Sequence, residues 1–170
     1  RYPRGNTAEI DENQIPRLKF GKSQILRKGK NVVLFAVGTM VEKAEKVADL
    51  LEKQGVYSSV INARFVKPLD EDLIINFGRD SKLLVTLEEN TIHGGFGSGI
   101  LEILSKNRIC IPTLQIGSPD RFIPQGSPEE QLYEAELNVE QIYGRVLDKL
   151  PRVVKKIRKE KTIEQNKRAS

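Results

Sequence analysis

"NVVLFAVGTMVEKAEKVADLLEKQGVYSSVIN", residues 31–62, holds one apolar run, one periodic segment and a second apolar run. Residues 32–37 are apolar at every position, which is the pattern of a strand covered on both faces. Val41, Ala44, Val47, Ala48 and Leu51 then recur at intervals of three and four, the repeat of a helix with one apolar face. Thr39 and Glu42 have the spacing of a capping box at its start, and Gly55 supplies a stop. "VYSSVIN" gives the next strand. A strand, a helix and a strand in this order imply a parallel pair joined by a crossover helix.

The same alternation runs on in both directions. Upstream, residues 23–27 read as a strand, followed by a turn at Lys28-Gly29-Lys30. Downstream, "RFVKPLDEDLIINFG" reads as a connector and a second helix, opened by Asp70 just after Pro68 and ended by Gly78. "KLLVTLEE" is a third buried strand, and a helix is expected from about Ser98 to Lys106. "ICIPTLQIG" is a fourth strand. "SPEEQLYEAEL" opens with Ser127 as cap, Pro128 in the first turn and Glu130 completing a capping box. Asn138 caps a last helix, "NVEQIYGRVLDKL". The expectation is an α/β fold: a mostly parallel sheet with helices on both faces, whose ligands would bind at the carboxyl ends of the strands. Residues 1–20 read as a linker punctuated by Pro3, Gly5 and Pro16, residues 21–150 as the folded domain, and residues 151–170 as a basic tail.

The bulk composition narrows the function classes. The net charge is +5, but residues 152–170 carry eight Lys or Arg against two Glu, so the remainder holds 20 basic and 21 acidic residues. The folded part is close to neutral, and the tail has no aromatic residue on which a base could stack, so the composition argues against nucleic acid as a partner. No apolar run approaches the ~20 residues of a membrane-spanning helix. The first 16 residues do not have the pattern of a signal peptide. One cysteine and one histidine make an internal disulfide impossible and a structural zinc site implausible. Cys110, inside "NRICIPTLQIG", is expected to be a small buried hydrophobe.

"EENTIHGGFGSGILEIL", residues 88–104, is where a catalytic site would first be sought. Gly95 and Gly97 start a G-x-G-x-x-G spacing, but the last required glycine is Ile100, so the dinucleotide fingerprint fails. The phosphate-loop pattern is absent as well. A strand-to-helix turn is the simpler reading, although a free helix N-terminus could meet an anion. His93 has no partner in the sequence to orient it as a base. Glu88 and Glu89 alternate on a strand, so they point to opposite faces and are not a ready acid–base pair. Two readings stay open for them: solvation at a strand end, or burial of one carboxylate with hydrogen bonds to the glycine turn.

Four stretches together, "RYPRG", "INARFVKPLDEDLI", "LVTLEENTIHGGFGSGILEIL" and "IGSPDRFIPQGSPEEQ", resemble the C-terminal third of the 1-deoxy-D-xylulose-5-phosphate synthase family. The order and spacing match over about residues 1–150, and the tail departs from the family. The resemblance implies a three-layer αβα domain of about five strands, transketolase C-terminal-domain-like, with residues 23–27 as the one antiparallel edge strand. It implies a cytoplasmic, thiamine-diphosphate- and Mg²⁺-dependent transferase of isoprenoid biosynthesis. That enzyme condenses pyruvate with glyceraldehyde 3-phosphate and releases CO2. No Gly-Asp-Gly with a distant Asn is found here, so neither cofactor is expected on this chain and no catalytic residue is assigned to it. Its partners would be the remaining domains and a second copy in a homodimer. By the same resemblance Arg4, the second arginine of "RYPRG", is the expected substrate-binding residue, near the acceptor's phosphate, while Arg1 is left without a role. The alternative is a free-standing module or split subunit of a thiamine-dependent enzyme, with the tail as anchor.

Overall fold

The computed structural model describes residues 17–150, so the expectations for Arg1, Arg4 and the 151–170 tail lie outside the described residues. Five strands form one sheet: β1 (Gln24–Arg27), β2 (Val32–Ala36), β3 (Ser58–Asn62), β4 (Leu83–Thr91) and β5 (Thr113–Ser118). Between and after them run α1 (Met40–Lys53), α2 (Glu71–Asp80), α3 (Phe96–Lys106) and α4 (Pro128–Glu134), and residues 139–150 are helical, here α5. The sheet order is β1-β3-β2-β4-β5. β1 is antiparallel to β3, and the other pairs are parallel. This is the mixed sheet that the sequence pattern and the resemblance imply, with β1 as the antiparallel edge.

Helices cover both faces. On one, Val47 and Leu51 of α1 and Ile142 and Val146 of α5 bury against Leu34, Val60 and Val85. On the other, Ile74 of α2 and Ile100, Ile103 and Leu104 of α3 bury against Val33, Phe35 and Leu84. All five residues of β2 are buried, as its unbroken apolar run requires of a strand with helices above and below. The connections leave β2 toward β3 on one side and place β4 and β5 on the other. The carboxyl ends of β2 and β4 therefore flank the point where the winding reverses, which is where ligands of such sheets usually bind.

Several local expectations are corrected. Gly78 does not end α2, which runs on to Asp80. Its role is close approach: a Cβ there would come within 2.6 Å of Leu104 Cδ2 and 3.2 Å of Ile109 Cγ2, where α2 meets α3. Thr39 makes no side-chain cap on α1, because it already has helical φ and ψ (−62°, −20°). Glu42 pairs instead with Lys46 one turn on, at 2.6 Å. α3 begins at Phe96, two residues earlier than expected. β5 begins only at Thr113, since Pro112 has no N–H to give to a ladder; its carbonyl still accepts from Leu84 N at 3.0 Å. Cys110 is exposed, not buried. Its neighbours Ile109 and Ile111 both turn onto the α2–α3 cluster, and the alternation of an extended chain sends Cys110 outward. Gly55 does end α1, at φ +73°, with Gly55 N donating to Glu52 O and Val56 N to Leu51 O at 2.8 and 3.0 Å.

Candidate functional site

β4 carries Glu88 and Glu89 to the carboxyl end of the sheet, and the pleat separates them. Glu88 is 2 % exposed, whereas Glu89 faces solvent. Glu88 Oε2 accepts from Phe96 N at 2.7 Å, and its Oε1 accepts from Gly97 N at 2.9 Å. These two N–H groups belong to the first turn of α3, where no preceding carbonyl is available. The carboxylate therefore fills the helix N-terminus that an external anion would have used. Of the two readings left open for the carboxylates, Glu88 takes burial with hydrogen bonds to the glycine turn, and Glu89 takes solvation.

The glycines follow from that contact. A Cβ on Gly95 would collide with Thr91 O and Glu88 Oε2, so only glycine lets the turn close over the carboxylate. Gly94 needs its freedom for a different reason, a φ of +72° with nothing within 4 Å. Ser98 Oγ donates to Ile92 O and accepts from Gly94 N, both at 3.1 Å, which closes the turn on itself. His93 is exposed, and no hydrogen bond to its imidazole occurs among the described residues. No group of three His, Cys, Asp or Glu residues converges as a metal site among the described residues.

Outside this turn, two further clusters occupy the same end of the sheet. Glu89, Ser118, Gln131 and Leu137 line an open cleft of about 320 Å³ between the sheet and α4. Lys43 Nζ donates to the carbonyl of Leu137, one of the lining residues, at 3.0 Å. Burial holds the Lys43 amine below its ordinary pKa, with the Glu89 carboxylate pulling the other way. At the opposite edge Lys22 bridges Asp70 and Asp72 at 3.0 and 2.9 Å, and Ser23 N donates to Asp70 at 2.9 Å. The two hydrogen bonds, to Asp72 first and then Asp70, raise the Lys22 pKa. Asp70 thus spends its carboxylate on the chain entering β1 and not on capping α2, whose N-cap has no side-chain bond.

A family model described as transketolase, C-terminal domain, matches residues 21–142. The chain belongs to this family. Among curated relatives, it is 40% identical over 149 residues to the 1-deoxy-D-xylulose-5-phosphate synthase of Caldanaerobacter subterraneus subsp. tengcongensis, covering 88% of this chain and 24% of the relative. It is 42% identical over 148 residues to the protein of that name from Thermomicrobium roseum, covering 86% and 24%. The chain thus spans about a quarter of the length of the curated relatives it matches. Among solved structures, a split gene transketolase described as an inactive beta4 tetramer superposes with a TM-score of 0.77 at 30% identity, over 85% of this chain and 46% of that one. Transketolase from Campylobacter jejuni, at 16% identity and a TM-score of 0.56 over 82% of this chain and 20% of that one, shares the fold.

Within this transketolase C-terminal domain, the polar groups a reader of the sequence would pick are already engaged with the fold or point to solvent. Glu88 holds a helix start, Glu89 and His93 are exposed, and Arg4 is outside the described residues. Sequence reasoning missed Lys43 and the Lys22–Asp70–Asp72 bridge. Lys43 lies on a helix that reads as amphipathic, and no local signal says that α5 begins near it. The bridge joins residues 48 and 50 positions apart, beyond the reach of any local pattern.

Proposed function

We propose that this chain is the C-terminal domain of a 1-deoxy-D-xylulose-5-phosphate synthase. The complete enzyme condenses pyruvate and glyceraldehyde 3-phosphate with loss of CO2, as a cytoplasmic homodimer. In this reading thiamine diphosphate and Mg²⁺ are held by the preceding domains. Among the described residues of this chain, no group of three His, Cys, Asp or Glu side chains converges that could hold the metal. The domain is non-catalytic by itself. It serves packing and dimer assembly, and Arg4 contributes a guanidinium to the acceptor's phosphate. The observation that carries the proposal is 40% identity across 88% of the chain to one quarter of a synthase.

A chimera tests it directly. This chain replaces the matching quarter of the Caldanaerobacter relative, and deoxyxylulose phosphate formation from the two substrates is measured. Activity comparable to the parent is expected. A folded chimera with its cofactor bound and no product would sink the proposal.

A second reading has a specific support. The likeness to a split gene transketolase, with 46% of that chain covered, fits a subunit encoded apart from its cofactor-binding partner. The position of the coding sequence decides: an in-frame upstream segment favours one polypeptide, a separate upstream gene the split subunit. The related idea that the tail is an anchor is tested by pull-down with and without residues 152–170, and unchanged partners after deletion would remove it.

A further inference from the structure

We infer that the rim at the carboxyl end of the sheet is the face on which the rest of the synthase docks, anchored by Phe122 at one end and by Phe20 and Val66 at the other. The inference rests on the proposed function and adds the surface through which that assembly works.

The starting observation is where large apolar side chains meet solvent. Phe122, in the loop after β5, is fully exposed. Phe20 is 80 % exposed on the segment that enters β1, and Val66 is 54 % exposed in the loop after β3. All three lie at one end of the sheet, since β1 is antiparallel to β3 and so begins where β3 ends. From β1 to β5 this rim spans four strand spacings, roughly 19 Å.

Phe122 and Phe20 sit beside residues that are tied to the fold. Arg121, next to Phe122, binds Glu134 Oε1 and the Glu134 carbonyl, both at 2.8 Å, and Arg121 N donates to Pro119 O at 2.9 Å. Ile123, on the other side, packs onto the α1–α5 core. The backbone is held at both neighbours, and the ring between them is held out. Phe20 stacks edge-on against Phe65 at 5.7 Å, and Lys22 and Ser23 are tied to Asp70. Aromatic side chains fixed outward on a rigid backbone, with polar groups such as Glu89 and His93 between them, have the anatomy of an interface anchor region.

The occupant follows from the length of chain beyond the domain. The curated relatives are about four times as long as the matched region, which is 24% of them. The described chain enters β1 at this same end of the sheet, beside Phe20, because β1 is antiparallel to β3 and begins opposite the end of β3.

Hydroxyl-radical footprinting of the chain alone and of the synthase chimera tests this. A several-fold fall in oxidation of Phe20, Val66 and Phe122 in the chimera is expected, with exposed Tyr57, just before β3 at the opposite end of the sheet, unchanged. Phe122→Ala should leave the melting temperature of the isolated chain unaltered and lower that of the chimera. Product formation is read on the same sample. An active chimera whose rim is oxidised as in the free chain overturns the docking face and leaves the proposed function standing. Rim protection without activity supports the face and removes the synthase reading. Protection already present in the free chain, with a dimer seen by sedimentation, assigns the rim to a second copy and overturns the inference.

Discussion

Glu88→Ala would leave the N–H groups of Phe96 and Gly97 buried and without an acceptor. Each such loss is of order 1–3 kcal/mol, so a destabilisation of about 2–6 kcal/mol is expected in urea unfolding. Glu88→Gln keeps one acceptor oxygen but turns an NH2 toward an N–H, and should fall between. Equal stability of all three proteins would mean the contact contributes nothing. The glycines that follow separate two effects that look alike in the sequence. Gly94→Ala strains only the backbone, at φ +72°, and should cost about 1–2 kcal/mol. Gly95→Ala must displace Thr91 O or the Glu88 carboxylate, and should cost clearly more and disturb the amide resonances of Phe96 and Gly97. If the two substitutions cost the same, the close approach over Glu88 is not what requires glycine. The alternation of Glu88 and Glu89 was legible in the sequence because a strand has a period of two. Which of them the turn would close over was not, since that depends on where α3 starts in space.

Among elements, α1 and α4 show why a spacing is only half of a capping box. Thr39–Glu42 and Ser127–Glu130 have the same pattern, and only the second forms the box. Ser127 is extended, at φ −60° and ψ 158°, so its hydroxyl can reach Glu130 N while Glu130 reaches back to Ser127 N at 2.8 Å. Thr39 has already entered the helical region and cannot. The strands and helices themselves were readable because burial imposes periods of two and 3.6 along the chain. Their ends depend on single backbone angles and on neighbours far away, as Gly78 inside α2 illustrates. The box carries a pH prediction. The Ser127 backbone N–H first, and then its hydroxyl, hold the Glu130 carboxyl below its ordinary value of 4.5. Its contribution is therefore present above 4.5 and is lost as pH falls through the lower folded value. A carboxyl ¹³C titration should place Glu130 below 4.5, and Ser127→Ala should move it part of the way back, because the backbone donor remains. A midpoint unmoved by Ser127→Ala would take the hydroxyl out of the account.

For the molecule as a whole, Glu88, Asp70 and Lys22 at the carboxyl end of the sheet are engaged in holding the fold, Glu89 and His93 are exposed, and Phe20, Val66 and Phe122 are held out. That division suits a domain whose chemistry is completed by other parts of an enzyme. In the proposed reading, substrate contact falls to Arg4, in the sequence that precedes the described residues. In the chimera, Arg4→Ala should raise the KM for glyceraldehyde 3-phosphate, with a smaller effect on pyruvate, because only the aldehyde substrate carries a phosphate. One charged hydrogen-bond partner is worth about 1.5–3 kcal/mol, which corresponds to a loss of roughly 10- to 150-fold in kcat/KM for the triose phosphate. Arg4→Lys keeps the charge but not the planar pair of donors, and should recover part of that loss. A general fall in kcat, equal for both substrates, would point to damaged packing of the linker. A KM for the triose phosphate that stays at the parent value would leave Arg4 as a linker residue, and the acceptor's phosphate would then have to be held by the preceding domains alone.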